Sequence, residues 1–412
     1  MTVKQGYKLT EVGVIPEDWE VTTLSFISTE IGDGIHSTPV YSNNGEYFFI
    51  NGNNIINKKI LITSETKKAN YSEFKKYRNN LNTKTILLSI NGTIGNIGLY
   101  NGESVFLGKS VGYLNIDIKN CKDFIYYQLK TDRTKRYFND SLTGSTIKNL
   151  GLGAIRNTLI PLPPLAEQTA IANALSDADA YINSLEQLIA KKQQIKQGTM
   201  QQLLTGKKRL DGFSGEWEVK KLGDVASIQR GASPRPIDNP IWFDENSLIG
   251  WVRISDITQA STFLYKTTQR LSDAGVLQSR FVKPFSLIMS ICATVGRPVI
   301  TTFPVCIHDG FVLFSELKIE QKFLYYFLKS IEPEWSKQGQ TGSQMNLNTE
   351  LILSTRLHLP KNMEEQTAIA ILLTNMDNDI QELQNKLTKA KHIKQGMMQE
   401  LLTGKTRLVQ PH

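Results

Sequence analysis

The feature that most constrains this fold is a repeat within the chain. EQTAIA at 167–172 returns at 365–370, IKQG at 195–198 returns at 393–396, and LLTGK at 203–207 returns at 401–405. Each pair is displaced by 365 − 167 = 198 residues. WEV at 19–21 and TGS at 143–145 recur at that same offset, at 217–219 and 341–343. The period is far too long for a solenoid. It means a duplicated domain, two copies filling all 412 residues.

Each copy has a globular part and a helical part. The globular part carries short apolar runs: YFFI at 47–50, TILLSI at 85–90 and SVFLGKSVGYLNI at 104–116, then LIGWVRI at 248–254, SLIMSI at 286–291 and PVCIHDGFVLF at 304–314. β-Branched and aromatic runs of this length, set off by Gly, Asn and Pro, predict strands. KDFIYYQLKT at 122–131 and QKFLYYFLKS at 321–330 predict helices.

The helical part follows Pro163 and Pro164. From 165 to 204 the chain has no Pro and a single Gly, Gly198. Leu175, Ala178, Ile182, Leu185 and Ile189 alternate spacings of three and four, as do Leu373, Met376, Ile380, Leu383 and Leu387. That is a coiled-coil seam. Gly206 and Gly404 are plausible helix stops. Matched stripes bury one another most simply, and copies related by a two-fold axis would run antiparallel. The expected fold is therefore α+β: two similar globular domains separated by two long antiparallel helices, a coiled-coil rod with pseudo-two-fold internal duplication. The expected boundaries are 1–160, 161–210, 211–358 and 359–412. The opening at 6–21 holds the place before domain one that the link at 203–219 holds before domain two, so it is expected to meet the end of the second helix.

Composition narrows the function. Lys and Arg total 47 against 39 Asp and Glu, a formal charge of +8 with pI near 9.1. That surplus suggests a polyanionic partner. Cys121, Cys292 and Cys306 are an odd, scattered set and make no disulfide framework, which fits a reducing cytosol and a cytoplasmic location. The opening residues show no apolar core of a signal peptide, and no apolar stretch approaches the roughly 18 residues of a membrane span. No membrane partner is expected.

Catalytic patterns fail on inspection. GKT at 404–406 needs a glycine where Gln399 stands, and it ends a helix instead of beginning one. Asp309 with Glu316 and Lys318 loosely resembles a metal nuclease pattern, but the first copy lacks it in register. Cys292, Cys306 and His308 match no zinc spacing. No GxSxG elbow or NPP-type methyltransferase tetrapeptide occurs. No catalytic or metal site is expected in this chain.

Two similar but non-identical heads on a rigid rod suit one duplex read at two places. IPLPPLAEQTAIA at 160–172, the long helix ending IKQG…LLTGK, GEWEVKKLGDVA at 215–226 and the complete second copy together resemble the specificity (S) subunit of Type I restriction–modification enzymes, over essentially the whole chain. The second copy departs at LPKNMEEQ, 359–366. The resemblance implies two target recognition domains, 1–160 and 211–358, each reading half of a bipartite, asymmetric site in double-stranded DNA. It implies spacer helices that set the gap and dock two modification subunits. Those partners would carry an adenine N6-methyltransferase and S-adenosylmethionine. Restriction (motor-nuclease) subunits would bring ATP and Mg²⁺. This chain would be a non-catalytic reader without a cofactor of its own.

Reading should fall to the polar loops, where the copies diverge. In the first copy the candidates are His36, Ser37, Thr38, Asn51, Asn53, Asn54, Asn91, Thr93, Lys109, Ser145, Thr146 and Lys148. In the second they are Arg230, Ser233, Arg235, Arg253, Ser255, Asp256, Thr294, Arg297, His308, Asp309, Ser343, Gln344 and Asn346. Asn and Gln suit adenine edges and Arg suits guanine, while Ser, Thr and Lys more often hold phosphates. The same Asn and Gly residues are also good turn formers. Two alternatives remain: a nuclease or methyltransferase hidden in the globular domains, detectable as activity of the purified chain, and a scaffold with no sequence-dependent DNA affinity.

Overall fold

The apolar runs form strands because their side chains fill both faces of covered sheets. Thr85–Ser89 and Val111–Ile116 are buried at every residue, as is Leu287–Ser290 in the second copy. The computed structural model describes residues 4–338 and 347–409. The chain divides into two units, Met1–Glu186 with Lys386–His412, and Gln187–Asn385.

Among the described residues of the first unit, an antiparallel sheet runs Ile97–Leu99, Thr85–Ser89, Val111–Ile116, Ser28–Asp33. A second sheet sets Tyr47–Ile50 between Val105–Leu107, parallel, and Lys68–Ala69, antiparallel. The second unit repeats this plan. One sheet runs Ser227–Arg230, Phe311–Ser315, Leu287–Ser290, Pro298–Thr301, Phe263–Leu264. The other sets Gly250–Val252 between Val305–Ile307, parallel, and Gln269–Arg270, antiparallel. A ribbon closes each globular part: Glu20–Thr23 pairs with Leu159–Leu162, and Trp217–Lys221 with Arg356–Pro360. The fold is α+β and internally duplicated.

The two long helices are continuous, Leu165–Leu203 and Met363–Leu401. Within the first unit, Asp179 pairs with Lys394, and Glu186 with Lys391 at 2.7 Å. Within the second, Lys192 pairs with Asp379 at 2.7 Å, and Lys196 with Asp377. Advancing on one helix meets retreating numbers on the other, so the pairing is antiparallel in each unit. Of the seam residues, Leu175, Ile182, Leu185, Ile189, Leu373 and Ile380 are buried, while Met376, Leu383 and Leu387 are half-buried. Leu175 and Leu373 also enter the cores of their globular parts.

The repeated motifs have a physical account. In EQTAIA, the Glu is a buried anion with an arginine clamp. Arg407 Nε and Nη2 donate to Glu167 Oε1 and Oε2 at 2.7 and 2.8 Å, and Trp19 Nε1 donates to Oε2 at 3.0 Å. Arg209 Nε and Nη2 donate to Glu365 at 2.9 and 2.5 Å. The next residue, Gln168, donates to the Pro163 carbonyl and accepts the Cys121 N–H, both at 2.9 Å. Gln366 does the same with Pro360 and Glu320, again at 2.9 Å.

LLTGK is the other half of the clamp. Gly206 and Gly404 have φ of +70°, favourable only without a Cβ. A side chain at Gly404 would overlap Pro16. Each glycine turns the chain so that Arg209 or Arg407 reaches its glutamate. The opening segment meets the end of the second helix: Tyr7 donates to the Gly404 carbonyl at 3.0 Å, and Arg407 bonds Asp18 at 2.8 and 2.6 Å.

A tyrosine then ties each globular part to its helices. Tyr127 donates to Asp179 Oδ2 at 2.7 Å while Lys394 holds Oδ1. Tyr326 donates to Asp377 Oδ2 at 2.8 Å while Lys196 holds Oδ1. Burial raises both phenol pKa values, so these remain donors.

Removing one partner of a buried pair costs about 3–5 kcal/mol. Arg407→Ala is therefore expected to destabilise the first unit by about 3 kcal/mol and to speed amide exchange there, leaving 187–385 protected. Arg209→Ala should invert that pattern. The Asp18 carboxyl sits below its ordinary range, chiefly through its hydrogen bond from Arg407. Its contribution is present above the unfolded value of about 3.9 and lost as pH falls through the lower folded value. Asp18→Asn should thus destabilise at neutral pH, the difference closing below about pH 4, as read by acid denaturation.

Candidate nucleic-acid interface

Three loops meet in each unit. In the first they are residues 34–38, 50–54 and 107–110. Gly34 and Ile35 donate to the Val111 and Leu107 carbonyls at 3.0 and 2.8 Å. In the second they are 231–235, 252–256 and 307–310, with Gly231 and Ala232 donating to Phe311 and Ile307 at 2.9 and 3.1 Å. The parallel partners Ile50↔Leu107 and Val252↔Ile307 set the other two loops side by side. A Cβ at Gly34 would overlap the Leu107 carbonyl, and one at Gly231 the His308 carbonyl, so only glycine permits the approach.

The bonding gives a residue-by-residue match between units. Asn51 N–H donates to Asn54 Oδ1 at 3.0 Å, and Arg253 N–H to Asp256 Oδ2 at 2.8 Å. Val111 donates to the Gly108 carbonyl as Phe311 does to that of His308, at 2.9 and 3.0 Å. Asn51 therefore corresponds to Arg253, and Lys109 to Asp309.

In the first unit His36, Ser37, Thr38, Asn53 and Lys109 are exposed, His36 lying 2.9 Å from Asp33. Asn51 accepts from Ser110 at 3.0 Å, and Asn54 donates to the Leu61 carbonyl at 3.1 Å, so their amides hold the loop. Thr93, Ser145, Thr146 and Lys148 are exposed, gathered by the bridge between Asn91 and Asn149 and by Gly92 donating to the Lys148 carbonyl at 3.3 Å.

In the second unit Asp309 is the hub. Ser233 and Arg235 donate to its carboxylate at 2.9 and 3.1 Å, and Arg230 to its carbonyl at 2.7 Å. Arg253, Ser255, His308 and Asp309 line one depression with Ile237 and Ile254. Asp256 is buried and also accepts the Thr268 N–H at 3.0 Å. Arg297 donates to the Thr258 and Ala260 carbonyls at 3.2 and 3.1 Å, holding the end of the Ile254–Gln259 helix. Half-buried Thr294 accepts the Ser290 hydroxyl on its carbonyl. Ser343, Gln344 and Asn346 lie outside the described residues.

Electrostatics fix the hydrogen-bonding character. His308 Nδ1 accepts the Gly310 N–H at 2.9 Å, which leaves its proton on Nε2. Burial, then Arg253, lowers the His308 pKa, so the ring is neutral at pH 7. Burial alone would raise Asp309, but Ser233, His308 and Arg235 hold it below the ordinary range. It presents a fixed anion among arginines. Burial raises the Cys292 thiol, and raises that of Cys306 to about 11, which disfavours thiolate formation. Among the described residues no group of three or more His, Cys, Asp or Glu could hold a metal ion. Among them too, no helix is long and apolar enough to cross a membrane.

A family model described as the type I restriction modification DNA specificity domain matches residues 16–197 and again 214–392. The chain belongs to this specificity family. The MjaVIII specificity subunit of a type I restriction enzyme from Methanocaldococcus jannaschii is 27% identical, over 96% of this chain and 94% of its own. The fold matches the type I S subunit of M. genitalium with a TM-score of 0.60, at 16% identity, over 97% of this chain and 98% of that one. A chain from a structure of type I R-M complex assembly also reaches 0.60, at 17% identity, over 95% of this chain and 99% of that one.

Within this specificity chain the sequence reading missed the residues that lock the loops. Asn79 donates to the Asp33 carbonyl at 3.1 Å and accepts the Leu107 N–H at 3.2 Å. Its counterpart Ser279 donates to the Ala232 carbonyl at 2.8 Å. Arg280 donates to the Arg230 carbonyl at 3.2 Å. Re-aligning the copies at the 311 − 111 = 200 offset of Val111 and Phe311 pairs Asn79 with Ser279 and would have drawn attention to both. Because overpacking costs about 1–3 kcal/mol, Gly231→Ala is expected to lower stability by that amount and to loosen the 231–235 loop. Thermal unfolding and amide exchange across residues 228–236 read both effects.

Proposed function

We infer that this chain is the non-catalytic reader of a type I restriction–modification complex, each globular domain contacting one half of a bipartite site in double-stranded DNA. The observation that carries this reading is the three-loop meeting point. It recurs on the same scaffold in both units, yet bears Asn51, Lys109 and His36 in one and Arg253, Asp309 and Ser233 in the other. A common frame with divergent donors and acceptors is what two different half-sites require. Family membership supports the role, and the net charge of +8 suits a duplex.

Finer assignments follow. Arg253 is the strongest base-reading candidate, its backbone fixed by Asp256 and its guanidinium lining the open depression. Arg suits the O6 and N7 acceptors of guanine. Arg230, Arg235 and Ser255 complete that surface, and His36, Asn53, Thr93 and Lys109 supply the other. Two modification subunits would dock on the helical regions and supply S-adenosylmethionine-dependent methylation. Restriction subunits would supply ATP- and Mg²⁺-dependent cleavage. Such a complex would work in the cytoplasm.

Arg253→Ala should cost about 1–3 kcal/mol at one base position of one half-site and leave the other half unchanged. Methylome sequencing of cells carrying the variant with its partner subunits reads this directly. A uniform loss across all sequences would make Arg253 a phosphate contact. Adding one heptad after Ile189, with a matching heptad in the partner helix, should lengthen the gap or abolish recognition. An unchanged gap with intact binding would defeat the spacer role.

A further inference from the structure

The segment after the Lys68–Ala69 strand has no use in the reading above. It forms the short helix Tyr71–Tyr77, and the stretch from 67 to 78 carries Lys67, Lys68, Lys75, Lys76 and Arg78. Its apolar side is anchored: Phe74 stacks on Tyr47 with ring centres 4.0 Å apart and meets Phe106 edge-on at 6.3 Å. Its other side is open, with Lys75, Lys76 and Arg78 exposed. Among the described residues, no carboxylate lies within 4.0 Å of these three cations as an ion-pair partner. The one acid of the helix, Glu73, accepts the Val40 N–H at 3.1 Å.

This cationic face is bound to the loop cluster. Glu73 reaches Val40, just beyond loop 34–38. Asn79, next in chain after Arg78, bonds both Asp33 and Leu107. The Tyr77 pKa is lowered by hydrogen bonding with Lys76 and then with Ser37, a reading candidate. The second unit breaks the likeness here. The helix that follows its matching strand Gln269–Arg270 is Asp273–Leu277, DAGVL, with an acid and no base.

We propose that Lys75, Lys76 and Arg78 form a phosphate-contact surface of the first recognition domain, absent from the second. The proposal rests on the DNA-reading role. It makes duplex binding electrostatically lopsided, the first domain supplying more of the sequence-independent grip. Exposed cations without a carboxylate partner, flanking a base-reading loop, are placed as backbone contacts are, fixing register without reading sequence.

The test is a salt titration of duplex binding by the full chain, on DNA with and without the recognition site. For K75Q/K76Q/R78Q, the slope of log affinity against log salt should fall by about 0.9 per lost phosphate contact, about 2 to 3 in all. Base preference in both half-sites should stay as in the parent chain. The charge-keeping K75R/K76R should retain the parent slope, and unchanged thermal unfolding of both variants shows that the fold is intact. An unaltered slope overturns the proposal. So does an unaltered slope with lost association of a modification subunit, which would make the patch a protein contact. A changed base preference would make these residues readers and also overturn it. A parent chain that binds no duplex at any salt would defeat the DNA-reading role itself.

Discussion

The buried glutamate at the start of each long helix is the constraint on which the rest depends. A carboxylate taken out of water is costly unless paired and hydrogen-bonded. Glu167, at 1% exposure, and Glu365, at 0%, are each met by an arginine that arrives after the other helix has ended. The chain must therefore return to the base of each globular part. The glycine stop, the leucines before it and the antiparallel helix pairing are the means of that return.

Once the base is fixed, the upper part of each unit can vary. The Tyr127–Asp179–Lys394 and Tyr326–Asp377–Lys196 sets are alike to within 0.1 Å in their tyrosine bonds, 2.7 and 2.8 Å. Helix and sheet positions are tied by the same chemistry twice. The loops, by contrast, share their glycine approach, their backbone bonds and the Asn54 or Asp256 side-chain cap. The side chains those loops carry differ, Asn51, Lys109 and His36 standing against Arg253, Asp309 and Ser233.

Much of this was legible in the sequence. Periodicity of three and four revealed both long helices, and the repeat offset revealed the duplication. The strand runs were legible because burial on both faces demands uninterrupted apolar residues. The division of those strands between two sheets was not, since Tyr47–Ile50 and Thr85–Ser89 read alike while pairing with different partners. Within the site, INGNN was ambiguous by its chemistry: the amide that suits an adenine edge also suits a loop cap, and Asn51 and Asn54 take the second part. Arg297 is similar, its guanidinium drawn to two helix-end carbonyls that no local pattern announces. The Glu–Arg clamp was hidden because its partners stand 407 − 167 = 240 residues apart.

The make-up of the two units carries a consequence for biosynthesis. Gln187–Asn385 is one unbroken stretch, whereas the core of Met1–Glu186 takes in Leu401, Leu402 and Arg407, which are made after the whole of the other unit. On the ribosome, the unit begun before the other is thus completed after it. Its core waits exposed while the later one closes, and that interval is when a nascent chain of this design depends most on chaperones.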